Sequence, residues 1–100
     1  MRGKGGYTYI MSNLSRTVLY TGVTSNLYGR VYDHKNLEGS DFTKMYKCTD
    51  LVYYEFHERI ESAIEREKQI KKWNRLWKDR MIKRFNPDLR DLSGEIDDMI

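Results

Sequence analysis

Five residues, 12–16, separate two β-forming runs, and so short a connection fixes how the runs must pair. Residues 7–11 and 17–23 are rich in β-branched and aromatic side chains. Parallel strands need a crossover of a dozen or more residues, so these two are expected to pair antiparallel, as a hairpin. The connection, Ser12-Asn13-Leu14-Ser15-Arg16, has turn composition. Side chains alternate across a sheet. Tyr7 and Tyr9 therefore share one face of the first strand, and Val18, Tyr20 and Gly22 share one face of the second.

The rest of the chain extends this start into a domain. Thr24-Ser25-Asn26 offers N-cap side chains, and a helix is expected from about Leu27. Leu27, Arg30, Val31 and His34 then lie on one helix face. A polar loop containing Gly39 comes next. Residues 51–56 read as a third strand, 58–73 as a long helix, and 74–85 as a second helix bent away near Asn74. Pro87 closes that helix, because proline disfavours helical geometry in the residue before it. The order β-β-α-β-α-α predicts an α+β domain, a small three-stranded antiparallel sheet flanked by helices. At 100 residues the chain is expected to hold one domain. We place it at 7–86, with a flexible arm at 1–6 and an acidic, partly ordered tail at 87–100.

Charge is distributed unevenly. Nine cations lie between Arg66 and Arg84 against Glu67 and Asp79, a net of +7, whereas residues 88–100 hold five acids against Arg90, a net of −4. The basic stretch points to a polyanion partner, nucleic acid first, or else to a solvated helix face. Charge complementarity also leads us to expect that the acidic tail covers the basic helix. There is no apolar run of 18 residues, which excludes a membrane-spanning helix, and the N-terminus lacks the apolar stretch of a signal peptide. The single cysteine, Cys48, excludes an internal disulfide, and no cysteine–histidine cluster points to zinc. A reducing, cytoplasmic setting is expected.

Glu67 is the side chain whose position is hardest to reconcile with a plain surface helix. At 100° per residue, Ile60, Ala63, Ile64, Ile70 and Asn74 gather on one side, and Glu67 lies at their centre. Glu61 and Glu65 point to the polar side. An inward carboxylate is costly unless paired or bound to a metal. Two readings stay open: a half-buried glutamate paired with a lysine or arginine, or a single-carboxylate Mg²⁺ site completed by water and substrate phosphate. Arg30 likewise suits a phosphate or an ordinary salt bridge, and His34 a proton-transfer role or a backbone hydrogen bond.

In this order, Tyr7-Thr8-Tyr9, Tyr20-Thr21-Gly22, the helix from Leu27 through Arg30 to His34, and Ala63-Ile64-Glu65-Arg66-Glu67 resemble the motifs of the GIY-YIG nucleases. The resemblance covers residues 7–85 and is closest to the short stand-alone bacterial members, which also share segments like residues 70–75 and Asn86-Pro87-Asp88. Tyr7 replaces the first motif's glycine, and Thr8 and Thr21 take the isoleucine positions. Val23 and Thr24 stand where many members carry a lysine that could assist deprotonation.

The resemblance implies metal-dependent hydrolysis of DNA phosphodiesters. Tyr9, Tyr20, Arg30, His34 and Glu67 would be the catalytic residues, and Glu67 the ligand of Mg²⁺ (or Mn²⁺). Tyr9 is the candidate general base, Arg30 the group that stabilises phosphate charge, and Tyr20 and His34 position water or Tyr9. Lys71, Lys72, Arg75 and Lys78 are candidates for phosphate contacts, which give salt-sensitive binding with little sequence preference. Trp73 and Trp77 read as core packing in preference to base stacking. The expected partner is DNA, with RNA an open alternative, and a role in repair or recombination is expected. No membrane, no small-molecule cofactor, and a monomer or weak dimer complete the reading. The alternatives are a nucleic-acid-binding module with weak or lost catalysis, and a basic, tryptophan-bearing protein-interaction module.

Overall fold

The computed structural model describes residues 5–99, and side chains as far as Asp97. Of the expected arm, residues 1–4 lie outside the described residues. The elements run β1 (Gly6–Ser12), β2 (Leu19–Thr24), α1 (Leu27–Lys35), α2 (Asp41–Tyr46), β3 (Asp50–His57), α3 (Ile60–Lys71), α4 (Arg75–Phe85) and a 3-10 helix at Ser93–Met99. The sheet order is β2-β1-β3, antiparallel throughout, with β1 in the centre.

The hairpin closes through one side chain. The Asn13 carboxamide oxygen accepts from the backbone of Thr17 and Val18, each at 2.9 Å, and its amide donates to Thr17 Oγ1 at 2.8 Å. Arg16 sits at φ 63 in this turn. That conformation is uncommon for a non-glycine residue, and here the guanidinium is anchored to Asn13 O and the Asp50 carboxylate.

The alternation along β1 divides the protein into two cores. Tyr9 and Met11 face α1 and pack with Leu27, Val31, Cys48 and Leu51. Ile10 faces the opposite way and packs with Val52, Tyr53, Ile70 and Ile82 beneath α3 and α4. The β1–β3 register slips between Ile10 and Met11: Ile10 pairs with Tyr53 but Met11 with Leu51. A bulge of this kind opposes two residues to one, which lets both Val52 and Tyr53 serve the α4-side core. Each fully buried aliphatic side chain stabilises by about 1.5–3 kcal/mol.

The helices depart from the sequence expectation in three places. Residues 41–46, expected as loop, form α2, capped by Ser40, whose hydroxyl accepts from Thr43 N at 3.2 Å. α3 starts two residues later than expected and stops at Lys71. Asn74 therefore lies outside it, as the N-cap of α4, accepting from Trp77 N at 2.9 Å. Ile64, expected on the inner stripe, is 36% exposed.

The acidic segment lies against the domain. Leu92 and Ile96 are 3% and 1% exposed and complete the α1-side core. Leu92 N donates to Leu51 O at 2.7 Å, and Asp91 accepts from Leu51 N at 3.0 Å and pairs with Lys35 at 2.7 Å. Its acids thus meet α1 and β3. Among the described residues none reaches the basic helices, which overturns the expected cover. The reason is hydrophobic: two apolar side chains fix where the segment goes, and its charges follow.

Candidate active site

α1 carries the centre of the site. Asn26 caps it by accepting from Gly29 N at 3.0 Å, which sets the helix phase so that Leu27, Val31 and His34 point inward. His34 is 1% exposed. Its Nε2 lies 3.0 Å from the Tyr9 hydroxyl, and its Nδ1 is buried without a partner. Burial, reinforced by the Arg30 cation and opposed by Asp33, lowers the His34 pKa to about 4, so the ring is neutral at pH 7. Two tautomers satisfy the contact. Either Tyr9 donates to Nε2, or Nε2–H donates to the Tyr9 oxygen.

Tyr9 is 1% exposed, and burial pushes its pKa well above the ordinary range. Tyr20 and Glu67 add to the rise, and Arg30 opposes it. A tyrosine acting as general base needs nearby cations to favour its phenolate. Arg30 acts in that direction, but burial is the larger effect. Arg30 itself remains a cation. Burial works against its charge, and Tyr9, Tyr20 and Asp33 more than offset it. Its nearest ion pair, to Asp33, is loose at 3.5 Å. Tyr20 sits half-buried over the pair, its ring 6.5 Å from Tyr9 and 5.5 Å from His34 between centroids.

Two glycines make room for these rings. Gly22 pairs with Tyr9 across the β1–β2 ladder. A Cβ there would lie 2.6 Å from the Tyr9 hydroxyl oxygen. The third residue of the second tyrosine triplet is therefore glycine because the Tyr9 ring lies across it. Gly39 does the same for His34, whose Nδ1 would collide with a Cβ at that position. Sequence reasoning missed Gly39, and with it α2, where Phe42 and Tyr46 continue the aromatic cluster outward: Tyr20–Phe42 centroids are 6.0 Å apart and Phe42–Tyr46 4.7 Å. The available signal was Ser40 followed three residues later by Thr43, with Asp41 in the first turn.

Glu67 enters from α3. Its neighbours in the helix, Ala63 and Ile70, are fully buried, and its own side chain is 13% exposed. The carboxylate meets Lys71 Nζ at 2.6 Å, so the paired-glutamate reading holds for this state of the protein. Its charge also acts on the Tyr9 hydroxyl. Tyr9, Tyr20, Arg30 and His34 are thus gathered into one cluster, with Glu67 at its edge. Among the described residues no group of three His, Cys, Asp or Glu side chains could cage a metal.

The basic residues fall into different settings. Lys71 is half exposed beside Glu67, Lys72 is exposed at the end of α3, and Lys78 is half-buried on α4. Arg75 is committed internally: it donates to Asp79 at 2.8 Å, Thr17 O at 2.9 Å and Arg16 O at 2.6 Å, tying α4 to the hairpin turn. Trp73 packs against the α4-side core as expected, whereas Trp77 is 53% exposed. The Asn86 carboxamide, from the segment resembling the short bacterial members, is buried and donates to Val52 O and Arg90 O, a structural role. Cys48 is buried, which raises its pKa and keeps it a thiol. No helix among the described residues is long and apolar enough to cross a membrane.

Comparison with known proteins places this arrangement. A family model described as the GIY-YIG catalytic domain matches residues 5–80. A UPF0213 protein of Natronomonas pharaonis is 36% identical over 76 residues, covering 76% of this chain and 88% of that protein. A UPF0213 protein of Staphylococcus aureus is 38% identical over 65 residues, covering 65% of this chain and 79% of its own length. No solved structure matches.

Proposed function

The chain belongs to the GIY-YIG catalytic-domain family, a family of nucleases, and from that premise we propose that it is a divalent-metal-dependent DNA endonuclease with weak sequence preference. The observation that carries the reading is the buried Tyr9–His34 contact at 3.0 Å, set beside one cation, Arg30, and one carboxylate, Glu67. Apolar packing has no need of a buried tyrosine–histidine pair. Such expense is found where chemistry requires it.

Glu67 fits a hard cation. It is a single, largely buried carboxylate with one flexible lysine as counter-ion, and Mg²⁺ is commonly held by one or two carboxylates with waters and substrate phosphate. Bound there, the ion would polarise the scissile phosphate and stabilise the leaving oxygen. The protein's own groups supply the rest. Arg30 neutralises charge growing on the phosphate oxygens. Neutral His34 fixes the Tyr9 hydroxyl and, as the Nε2–H tautomer, would donate to the Tyr9 phenolate formed by loss of its proton to solvent, the form that takes the proton of the attacking water. Tyr20 closes the site over that hydroxyl and holds the attacking water or a phosphate oxygen. Lys71, Lys72 and Lys78 bind the phosphate backbone, which sets affinity and not sequence. A cytoplasmic task on irregular DNA, as in repair or recombination, suits an enzyme of this kind.

The competing reading, a binding module with weak or lost catalysis, draws on the strongly buried Tyr9 hydroxyl. One experiment separates them: cleavage of branched, single-stranded and duplex DNA with Mg²⁺ by the wild type and by Glu67→Ala. Metal-dependent cuts that vanish in the variant, with binding retained, support the nuclease. Salt-sensitive binding without cutting in either protein would overturn it.

A further inference from the structure

On α4, Trp77, Arg80, Met81 and Arg84 fall at i, i+3, i+4 and i+7 and form one stripe. With Arg66 of α3 and Trp73 of the connecting turn they line an open cleft of about 350 Å³. Core packing accounts for Trp73. It does not account for Trp77, which leaves half of a large indole in water. The two indoles meet edge to face, centroids 6.0 Å apart and planes at 76°. The Arg66 guanidinium lies 5.2 Å from the Trp73 ring. It is fixed there by Glu55 at 3.0 Å and by Gln69 at 2.7 Å.

The charge of the cleft is one-sided. Among the described residues no carboxylate lines it. Glu55, the nearest acid by contact, is already shared by Arg66, His57 and Tyr53. Arg80 and Arg84 are exposed and have no ion-pair partner among the described residues. An exposed indole beside two free guanidinia matches a nucleobase with its flanking phosphates, since bases stack on aromatic rings whatever their identity and arginine's planar fork suits phosphate. Duplex DNA offers the phosphates but keeps its ring faces stacked inside.

We propose that this cleft is a stacking subsite for an unpaired nucleotide, with the base on Trp77 and the adjoining phosphates on Arg80 and Arg84. The inference rests on the nucleic-acid reading of the active site and narrows its substrate. Arg66 and Glu67 are neighbours on α3 that turn to different flanks, the first to Glu55 of β3 and the second to Lys71, from where its charge acts on Tyr9. A nucleic acid that reaches both flanks has an unpaired segment beside the scissile bond, as at a flap, a gap or a branch.

The test is a titration without divalent metal, so that nothing is cut. Tryptophan fluorescence and anisotropy are followed as a single-stranded oligonucleotide, or a duplex of the same sequence, is added to the wild type, Trp77→Ala and Arg80→Ala. The single strand is expected to quench the wild type. Trp77→Ala should weaken single-strand binding about ten-fold and leave duplex binding within two-fold. Arg80→Ala, which keeps both indoles, should preserve the quench and lower the salt dependence by about one phosphate contact. No quench, equal losses for both nucleic acids, or an equal quench by polyglutamate would overturn the subsite. If the wild type cuts DNA with Mg²⁺ while Trp77→Ala binds normally, only the subsite fails. If the quench appears and no cutting occurs, only the nuclease reading fails.

Discussion

On the face of the sheet covered by α3 and α4, Thr8 and Asn86 are buried with partners: Thr8 Oγ1 donates to Ala63 O at 2.8 Å, and Asn86 bridges Val52 O and Arg90 O. On the face covered by α1, a tyrosine hydroxyl and an imidazole are buried together and one ring nitrogen is left without a partner. These groups are buried on both faces, so burial alone does not distinguish structure from function. Satisfaction does. A buried amide that completes its hydrogen bonds within the protein stabilises the fold, while a buried group with bonding capacity left over has room for a partner from outside the chain, be it water, ion or substrate.

Tyr9→Phe gives the sharpest division. It removes the hydroxyl and keeps the packing, so cleavage should fall by about 10²–10⁴-fold while stability to denaturant changes by only about 1 kcal/mol. A variant that cuts normally would place Tyr9 with the structural groups. His34 comes next, through pH. Its folded pKa of about 4 lies below the unfolded value of 6.5, so the unfolded chain binds the extra proton. Its contribution to stability is complete above pH 6.5 and is lost as pH falls toward 4, by on the order of 3 kcal/mol. Denaturation of the wild type and His34→Gln across that range should show the loss in the wild type alone, beyond what carboxylates contribute to both. Asn86→Ala tests the other face. It should cost about 2 kcal/mol of stability and leave turnover per folded molecule unchanged. A turnover defect in well-folded protein would break the comparison. Lys71→Ala is the smallest. It removes the counter-ion of a largely buried carboxylate, so stability should drop by about 1 kcal/mol, while half-maximal cleavage should need less Mg²⁺ once the competing ammonium is gone.

The hairpin, the third strand and the faces of β1 and α1 were legible because period and turn chemistry are local. Tyr9, Tyr20 and His34 could be placed on facing surfaces by counting along strands and a helix. α2 was not legible. Six residues give too short a pattern for periodicity, and its signal was a cap in a polar stretch. The inward stripe of α3 was read too wide, because Asn74 was counted within a helix that it in fact terminates by capping the next. Arg75 illustrates the limit on charge reading: nothing in a basic run tells which guanidinium is bound to backbone carbonyls far away in sequence. The acidic stretch carried its own correction in Leu92 and Ile96, two apolar residues spaced four apart among acids.

That closing contact bears on how the protein is made. β1 can pair with β2 as soon as the hairpin has left the ribosome, but the core behind α1 stays open until Leu92 and Ile96 arrive and Leu92 bonds to Leu51. A nascent chain that has reached only Pro87 would therefore expose Met11, Leu51 and the Tyr9 ring to whatever surrounds it. The helix bearing Arg30 and His34 gains this packing partner only once residues 92–96 have emerged, so the face around Tyr9 would close after the scaffold beneath α3 and α4 has set.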